Sequence, residues 1–196
     1  MDTQNLLGRL RFLEEAERLK SVTRTAWTST GAQETTAAHS WRLCLLAMTF
    51  EDQLHGLNFA RILKLCVIHD LGEALHGDIS ALVQQGMPSK TAQERADLLA
   101  LMQTLPDNLR ADFLDLWEEY EFARSPEALA VKALDKLETI LQHNQGLNPP
   151  DFNYAFNLEY GLKYTQLHPL FAAIRAVLDE KTRARAAAGV AAVLSA

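Results

Sequence analysis

The sequence predicts an all-α protein, and two observations lead to this fold class. Nearly every long segment repeats apolar residues at the three- and four-residue spacing of an amphipathic helix. No segment shows a convincing alternation of apolar and polar residues, the pattern that predicts a half-buried strand. With 196 residues, of which 48% are hydrophobic, the chain has enough apolar material for one domain spanning residues 1–196.

The first two helices are separated by a stretch rich in Thr and Ser. The first is predicted over roughly Thr3 to Leu19, and Ser21 to Gly31 is predicted to be a loop. The second is predicted to begin near Thr35 or Thr36. Its core-facing stripe begins with a histidine and follows helical spacing: His39, Leu43, Leu46 and Phe50. His39 should therefore face the core from the first turn.

The third helix, predicted over roughly Phe59 to Asp70, ends in an adjacent His-Asp pair. His69 and Asp70 share helix faces with apolar residues one or two turns earlier: Ile62, Leu63, Leu65 and Cys66. Both side chains should therefore point inward, where an unpaired carboxylate costs several kcal/mol. A neutral imidazole beside a carboxylate is a ligand pair suited to a divalent cation. The pair therefore predicts a metal site.

The remaining elements are marked by helix breakers and caps. An irregular connection is predicted from Gly72 to Pro88, followed by one helix after Ser89 and another after Leu105-Pro106. Ser125-Pro126-Glu127 has the N-cap, proline and acidic residue of a helix start, and this helix should run to about Gln145. The predicted C-terminal helices, packed on the rest, are Tyr154 to Gln166 and Pro169 to Leu194.

Charge and cysteine content restrict the class of protein. A formal net charge of −6 argues against a binder of nucleic-acid polymers or anionic membranes. Cys44 and Cys66 lie on apolar helix faces and are expected to be reduced core thiols. No apolar stretch approaches the roughly 20 residues of a membrane span, and Met1 to Gln4 does not begin a signal peptide. We therefore expect a cytoplasmic protein.

Each candidate site residue, taken singly, also has an ordinary structural explanation. His39 alone is typical of a hydrogen-bonded core histidine, and Asp135 alone is typical of a solvated flank beside a core stripe. Glu73 and Asp78 alone are typical acidic loop residues. Their combination in one chain is what favours a site.

In combination these residues resemble the hallmark of the HD-domain superfamily of metal-dependent phosphohydrolases: a distant His, an adjacent His-Asp pair and a later Asp from separate helices. The resemblance is closest to the 5'-deoxynucleotidase subgroup and covers about residues 10–143. Its motifs are Arg24-Thr25-Ala26-Trp27, Glu34-Thr35-Thr36-Ala37-Ala38-His39-Ser40, His69-Asp70-Leu71-Gly72-Glu73, Gly77-Asp78-Ile79, Leu116-Trp117-Glu118-Glu119-Tyr120-Glu121 and Val131-Lys132-Ala133-Leu134-Asp135-Lys136.

The resemblance implies a helical bundle that holds one divalent metal ion between its helices. The implied ligands are His39, His69, Asp70 and Asp135. Two imidazoles and two carboxylates suit Mn²⁺ or Co²⁺, with Zn²⁺, Fe²⁺ and Mg²⁺ as alternatives.

The resemblance also implies roles around the metal. Glu73 would be the general acid or base, and Asp78 would serve catalysis and contact the sugar, discriminating at its 2' position. Arg24 and Trp27 would bind substrate, with a core anchor as the alternative role for Trp27.

The expected function is phosphate removal from (deoxy)nucleoside 5'-monophosphates by a metal-dependent phosphomonoesterase. The expected partners are a small nucleotide and a second copy of the chain in a homodimer. Three alternatives stay open: hydrolysis of another phosphorylated substrate (a nucleoside triphosphate, cyclic nucleotide or alarmone), a two-iron oxygenase, and a non-catalytic metal-containing binding protein.

Several polar residues near the motifs are assigned no part in the site. His76 is expected to be an exposed loop residue, with tuning of a phosphate pocket as the alternative. Lys132 and Lys136 are expected on a solvated helix face. His55, His143 and His168 carry no assigned role.

Overall fold

The computed structural model of the protein describes residues 2–77 and 90–194. Within these ranges the chain is predominantly helical, which confirms the predicted all-α class. A small antiparallel sheet pairs β1 (Thr23–Trp27) with β2 (Gln33–Thr35). The helices are α1 (Thr3–Ala16), α2 (Thr36–Thr49), α3 (Phe59–Ile68), α4 (Lys90–Leu101), α5 (Asp107–Glu121), α6 (Pro126–Gln145), α7 (Leu162–Thr165) and α8 (Pro169–Leu194).

The sheet corrects the prediction of a loop over residues 21–31. In β1 the side chains that turn inward are Arg24 and Ala26, while Thr23 and Thr25 are exposed. An inward-facing arginine breaks the apolar alternation on which strand prediction depends. Gly31, with a φ of +84°, forms the turn that leads to β2.

Caps fix the starts of the helices that carry the predicted site. The Thr35 hydroxyl accepts a hydrogen bond from the Ala38 amide at 3.2 Å, and the Ser125 hydroxyl accepts one from the Ala128 amide at 3.0 Å. These caps agree with the predicted starts of α2 and α6. Helix α3 ends at Ile68, so His69 is its C-cap and Asp70 lies just beyond, before a 3₁₀ turn over Leu71–Ala74.

Helix α6 is the central element of the core. Its buried apolar residues contact α2, α3, α5 and α8. They are Ala128, Val131, Leu134, Leu137 and Ile140. The two cysteines near this core are free, as predicted: Cys66 is buried and Cys44 is half-buried.

The C-terminal region differs from the prediction in one place. The helix expected from Tyr154 to Gln166 is a 3₁₀ turn over Tyr154–Leu158 followed by the short α7, because Gly161 takes a φ of +72° between them. Helix α8 packs on α6, and its buried Arg175 donates hydrogen bonds to the carbonyls of Asn157, Leu158 and Tyr160. In the described part of the chain, no helix has the length and hydropathy needed to cross a membrane.

Candidate metal centre and substrate cavity

The four residues that the sequence predicts as metal ligands lie together inside the bundle. His39 comes from the first turn of α2, His69 and Asp70 from the end of α3, and Asp135 from the middle of α6. His39 Nε2 lies 3.1 Å from Asp135 Oδ1, and His69 Nε2 lies 3.0 Å from Asp70 Oδ2. His39 Nε2 and Asp70 Oδ2 are 4.0 Å apart. Three helices thus bring two imidazoles and two carboxylates to one point.

The donor atoms at this point fit a divalent cation. The Nε2 atoms of His39 and His69 are buried and have no hydrogen-bond partner among the described residues. Leaving a buried polar atom unsatisfied costs about 1–3 kcal/mol. Ligand atoms of His39, His69 and Asp70 lie within 4.8 Å of one another. A cation at this point would satisfy both nitrogens.

Contacts on the far side of each imidazole orient it toward this point. His39 Nδ1 lies 2.5 Å from Glu138 Oε2, and Arg42 donates from Nε to Glu138 Oε1 at 2.5 Å. His69 Nδ1 lies 2.9 Å from the Cys66 carbonyl oxygen. Because a carboxylate and a carbonyl accept hydrogen bonds, both Nδ1 atoms carry a proton, and Nε2 is the nitrogen of each ring that faces the centre.

A second group of potential ligands, Glu34, His39 and Glu138, is also close enough to bind a metal. Its carboxylates already have cationic partners, since Arg24 Nε lies 3.5 Å from Glu34 and Arg42 bonds Glu138. The Nε2 side of His39 is therefore the better metal site.

The electrostatics of the centre favour positive charge. Burial and Arg24 favour neutral His39, but Glu138 and Asp135 outweigh them and raise the imidazole pKa to about 9. Burial would raise the pKa of Asp70, but His69 and Arg24 outweigh it and hold the pKa well below its usual range. The carboxylate is thus anionic at neutral pH, and a proton or a metal ion is the complementary charge.

The centre forms one end of a cavity of about 560 Å³. The floor is one face of α6, and the outer wall comes from the hairpin and from residues 149–160. The floor residues follow helical spacing: Lys132, Asp135, Lys136, Thr139 and His143. The outer wall is largely aromatic: Trp27, Phe152, Phe156 and Tyr160.

Glu73 lines this cavity and is 3% exposed. One carboxylate oxygen accepts from the Thr36 hydroxyl at 3.4 Å, and the other accepts from Lys90 Nζ at 3.4 Å. The 3₁₀ turn after α3 therefore places an acid three residues beyond Asp70, within the same cavity. Asp78, which the sequence analysis assigns to catalysis and sugar binding, lies outside the described residues.

Arg24 and Trp27 also line the cavity. Arg24 donates from Nη1 to Asp70 Oδ2 at 3.3 Å and from Nη2 to Thr139 Oγ1 at 3.1 Å, which brings its guanidinium to the metal centre. Trp27 is half-buried and its ring contacts Phe152 edge to face at a centroid distance of 6.3 Å. It belongs to the cavity wall, not to the fully buried core.

Lys132 and Lys136 correct the expectation of a solvated helix face. Lys132 is only 7% exposed, and Lys136 Nζ lies 2.8 Å from Asp135 Oδ2. The segment 154–165 and Tyr120 cover this face of α6, so both lysines line the cavity. The spacing of polar and apolar residues within α6 cannot show that residues distant in the chain pack over these lysines.

The sequence analysis missed further cavity residues. His143 is buried, and its Nδ1 lies 3.0 Å from Asn157 Oδ1. Its ring contacts the Phe152 ring at a centroid distance of 4.8 Å. Burial lowers the pKa of the His143 imidazole. Glu94 and Glu121 also line the cavity. The polar stripe on α6 is a pattern that could have indicated His143.

His76 is exposed and pairs with Asp97 at 2.7 Å. It is absent from the cavity lining, in agreement with the expected exposed loop position.

Comparison with known proteins decides the family. Residues 16–175 match the family model described as an HD domain. The chain belongs to the HD domain family. This confirms the resemblance that the sequence predicts and explains why the donor set of this HD domain suits a divalent metal.

Curated relatives of this HD domain protein include enzymes named for nucleotide hydrolysis. It is 38% identical over 135 residues to the 5'-deoxynucleotidase HDDC2 of Xenopus laevis, covering 68% of this chain and 66% of that protein. The human 5'-deoxynucleotidase HDDC2 is 36% identical over 138 residues, which cover 69% of this chain and 67% of the human protein. The alignments thus span about two thirds of the length of these relatives.

A solved structure is similar over almost the whole chain. The crystal structure described as a predicted metal-dependent phosphohydrolase from Magnetospirillum magnetotacticum has a TM-score of 0.74 and 26% identity. The match covers 92% of this chain and 94% of that chain.

Proposed function

We propose that the protein is a metal-dependent phosphohydrolase that removes phosphate from nucleoside 5'-monophosphates and prefers the 2'-deoxy form. The observation that carries the proposal is the cavity itself, which has the metal donors and a buried acid at one end and an aromatic wall at the other. Among the described residues, the two imidazole Nε2 donors have no hydrogen-bond partner. The names of the curated relatives support the substrate class.

His39, His69, Asp70 and Asp135 would hold one divalent ion, with Mn²⁺ or Co²⁺ best suited to this mixed donor set. When bound, such an ion polarises a phosphate oxygen and lowers the pKa of a bound water. Arg24, 3.3 Å from Asp70, would bind the remaining phosphate oxygens through its planar guanidinium.

Glu73 is the proposed general acid and base. Its carboxylate faces the same cavity as the metal ligands, and Thr36 and Lys90 hold its two oxygens at 3.4 Å each. Fixing the carboxylate in this way lets it orient the attacking water, accept a proton from that water and protonate the leaving 5'-oxygen.

The floor of the cavity has the length that a nucleoside 5'-monophosphate needs. Along α6, Thr139 lies about 6 Å beyond Asp135, and His143 lies about 12 Å beyond it, at 1.5 Å per residue. A phosphate at Asp135 and Arg24 would therefore place the base near His143, Trp27 and Phe152. These rings would supply stacking and edge contacts that tolerate different bases.

Asp78 would contact the sugar, as the family resemblance implies, and would disfavour a 2'-hydroxyl. This part of the proposal rests on the resemblance and on the names of the relatives.

The test measures phosphate release from matched 2'-deoxy and ribo nucleoside 5'-monophosphates with Mn²⁺ or Co²⁺ supplied. Faster release from the deoxy set supports the full proposal. Equal rates would retain the phosphohydrolase and reject the sugar preference. No release from either set, with metal bound, would favour another phosphorylated substrate or the non-catalytic alternative.

We also infer a homodimer and a cytoplasmic location as further expectations for this protein. An exposed apolar stripe on α2 supports the dimer: Trp41, Leu45 and Met48 are 66%, 46% and 55% exposed. Light scattering should give twice the chain mass, and Trp41→Glu should give the monomer mass. A monomeric wild type would reject the dimer.

A further inference from the structure

The two oxygens of Asp135 have different surroundings. Oδ1 lies 3.1 Å from His39 Nε2, on the side of the metal donors. Oδ2 accepts hydrogen bonds from the Tyr120 hydroxyl at 2.7 Å and from Lys136 Nζ at 2.8 Å. Each carboxylate oxygen has about two lone-pair positions. The two donors therefore occupy Oδ2, and Oδ1 is the oxygen left for a cation.

Lys136 is held in place by the segment that follows α6. Its Nζ lies 5.1 Å from the centre of the Tyr160 ring. A Cβ added to Gly161 would lie 2.5 Å from Lys136 Cγ and 2.6 Å from Lys136 Cβ, so only a glycine lets the backbone approach the lysine stem this closely. Burial opposes the charge of Lys136, but Asp135 and Tyr160 outweigh burial and raise the ammonium pKa.

Tyr120 is equally constrained. It is buried, its ring contacts the His69 ring at 5.0 Å, and Lys132 Nζ lies 4.0 Å above its centre. Burial and the neighbouring Asp135 raise the pKa of its phenol well above the usual value, so the hydroxyl stays protonated and donates. Tyr120 thus contacts two predicted ligands, one through its hydroxyl and one through its ring.

We propose that Lys136 and Tyr120 are positioning residues that restrict Asp135 to metal binding through Oδ1 alone. A carboxylate held in this way fills one coordination position instead of two. The other position stays open for water or a phosphate oxygen, which catalysis requires and a closed structural site lacks. This inference rests on the proposed metal-dependent function.

Lys136→Met is the main test, and Lys132→Met is its matched control. Both substitutions remove one positive charge from the same face of α6 in the same cavity, but Lys132 Nζ pairs with Glu121 at 3.8 Å and forms no hydrogen bond to Asp135. Any general effect of charge on metal affinity should therefore appear in both variants. Lys132 contacts Tyr120 through the ring, so Lys132→Met keeps both hydrogen bonds to Oδ2, and an effect of releasing Oδ2 should appear only in Lys136→Met.

The primary readout is the visible absorption spectrum of the Co²⁺-loaded protein, which reports coordination number without any substrate. In Lys136→Met, Asp135 can bind through both oxygens, so the bands should weaken as the coordination number rises. Binding of Mn²⁺ should be retained, whereas kcat should fall by about 10- to 100-fold, the range typical of residues that orient metal ligands. Lys136→Arg should restore the wild-type spectrum.

Tyr120→Phe is a second variant that keeps the ring and removes one donor. It should change the spectrum in the same direction and by less. A Lys136→Met spectrum identical to that of the wild type or of Lys132→Met would overturn the proposal. Because the spectrum is measured without nucleotide, it decides this inference even if the wild type releases no phosphate.

Discussion

The two ends of the cavity are built in different ways. At the metal end, the buried Nε2 atoms of His39 and His69 have no hydrogen-bond partner in the part of the chain that the structure describes, and Glu138 and the Cys66 carbonyl orient the two rings from behind. At the other end, here called the open end, ring side chains contact one another: the Phe152 ring contacts the rings of Trp27 and His143. The metal end is therefore a fixed set of donors for one ion, whereas the open end is a surface suited to a planar group.

The two ends therefore meet different requirements, one for binding a metal ion and one for binding a nucleotide base. Binding a small cation requires several donors in a narrow range of distances, so each ligand needs a second contact that fixes it. Binding a base requires area and stacking, which several side chains share. Substitutions at the metal end should therefore abolish function, whereas substitutions at the open end should weaken substrate binding by degrees.

The largest effect is expected from removing a ligand at the metal end. Asp70→Ala should lose bound metal and phosphate release together, because it deletes one carboxylate from the donor set. Asp151→Ala, which removes a carboxylate from the open end of the same cavity, should keep its metal. Elemental analysis of the purified variants compares them, and full metal occupancy in Asp70→Ala would contradict the ligand assignment.

A smaller effect is expected from the residue behind His39. Glu138→Gln keeps the size of the side chain but removes the charge that orients the imidazole and pairs with Arg42. Metal affinity should fall by about tenfold or more, as measured by Mn²⁺ titration. Glu159→Gln, on an exposed carboxylate, serves as the control. Unchanged affinity in Glu138→Gln would mean that the His39 ring is fixed by packing alone.

At the open end, Phe152→Ala should raise KM by about tenfold, which corresponds to the lower part of the range for loss of one base-stacking contact, and should leave kcat nearly unchanged. Phe122→Ala removes an exposed ring outside the cavity lining and is the control. Steady-state kinetics separates the two constants. A fall in kcat at unchanged KM would place Phe152 with the reacting groups and not with the base.

The smallest effect concerns Glu94, whose pKa burial raises to about 7, against an unfolded value of 4.5. Folding then takes up a proton between pH 4.5 and 7, so this group's contribution to stability falls as pH rises through that window, by at most about 3 kcal/mol. Urea unfolding gives the free energy of unfolding at pH 5 and at pH 8. The change in this free energy between the two pH values should be smaller for Glu94→Gln than for the wild type. Equal differences would show that Glu94 has an ordinary pKa.

The sequence places three of the four predicted ligands at the metal end, because these three occupy positions fixed by local rules. His39 follows a capped helix start, and His69 and Asp70 follow an apolar run, so periodicity alone turns them inward. Asp135 needed the family resemblance, since its neighbours give no sign that it is buried.

The rest of the cavity lining could not be predicted in this way because it depends on contacts between distant segments. Lys132 and Lys136 are covered by residues 154–165, whose turn depends on the positive φ of Gly161. Arg24 faces inward from a strand whose pattern is not apolar, and two of its partners, Asp70 and Thr139, are 46 and 115 residues away along the chain. Helical spacing places side chains on faces, but it does not say what covers each face.

The most direct test of the account combines metal content and turnover in Glu73→Gln. The variant should retain full metal and bind the deoxynucleoside 5'-monophosphate, whereas kcat should fall by about 10²- to 10⁴-fold, as expected for loss of a general acid or base. Turnover at the wild-type rate with full metal would contradict the central claim that this buried acid and the metal donors act together on phosphate.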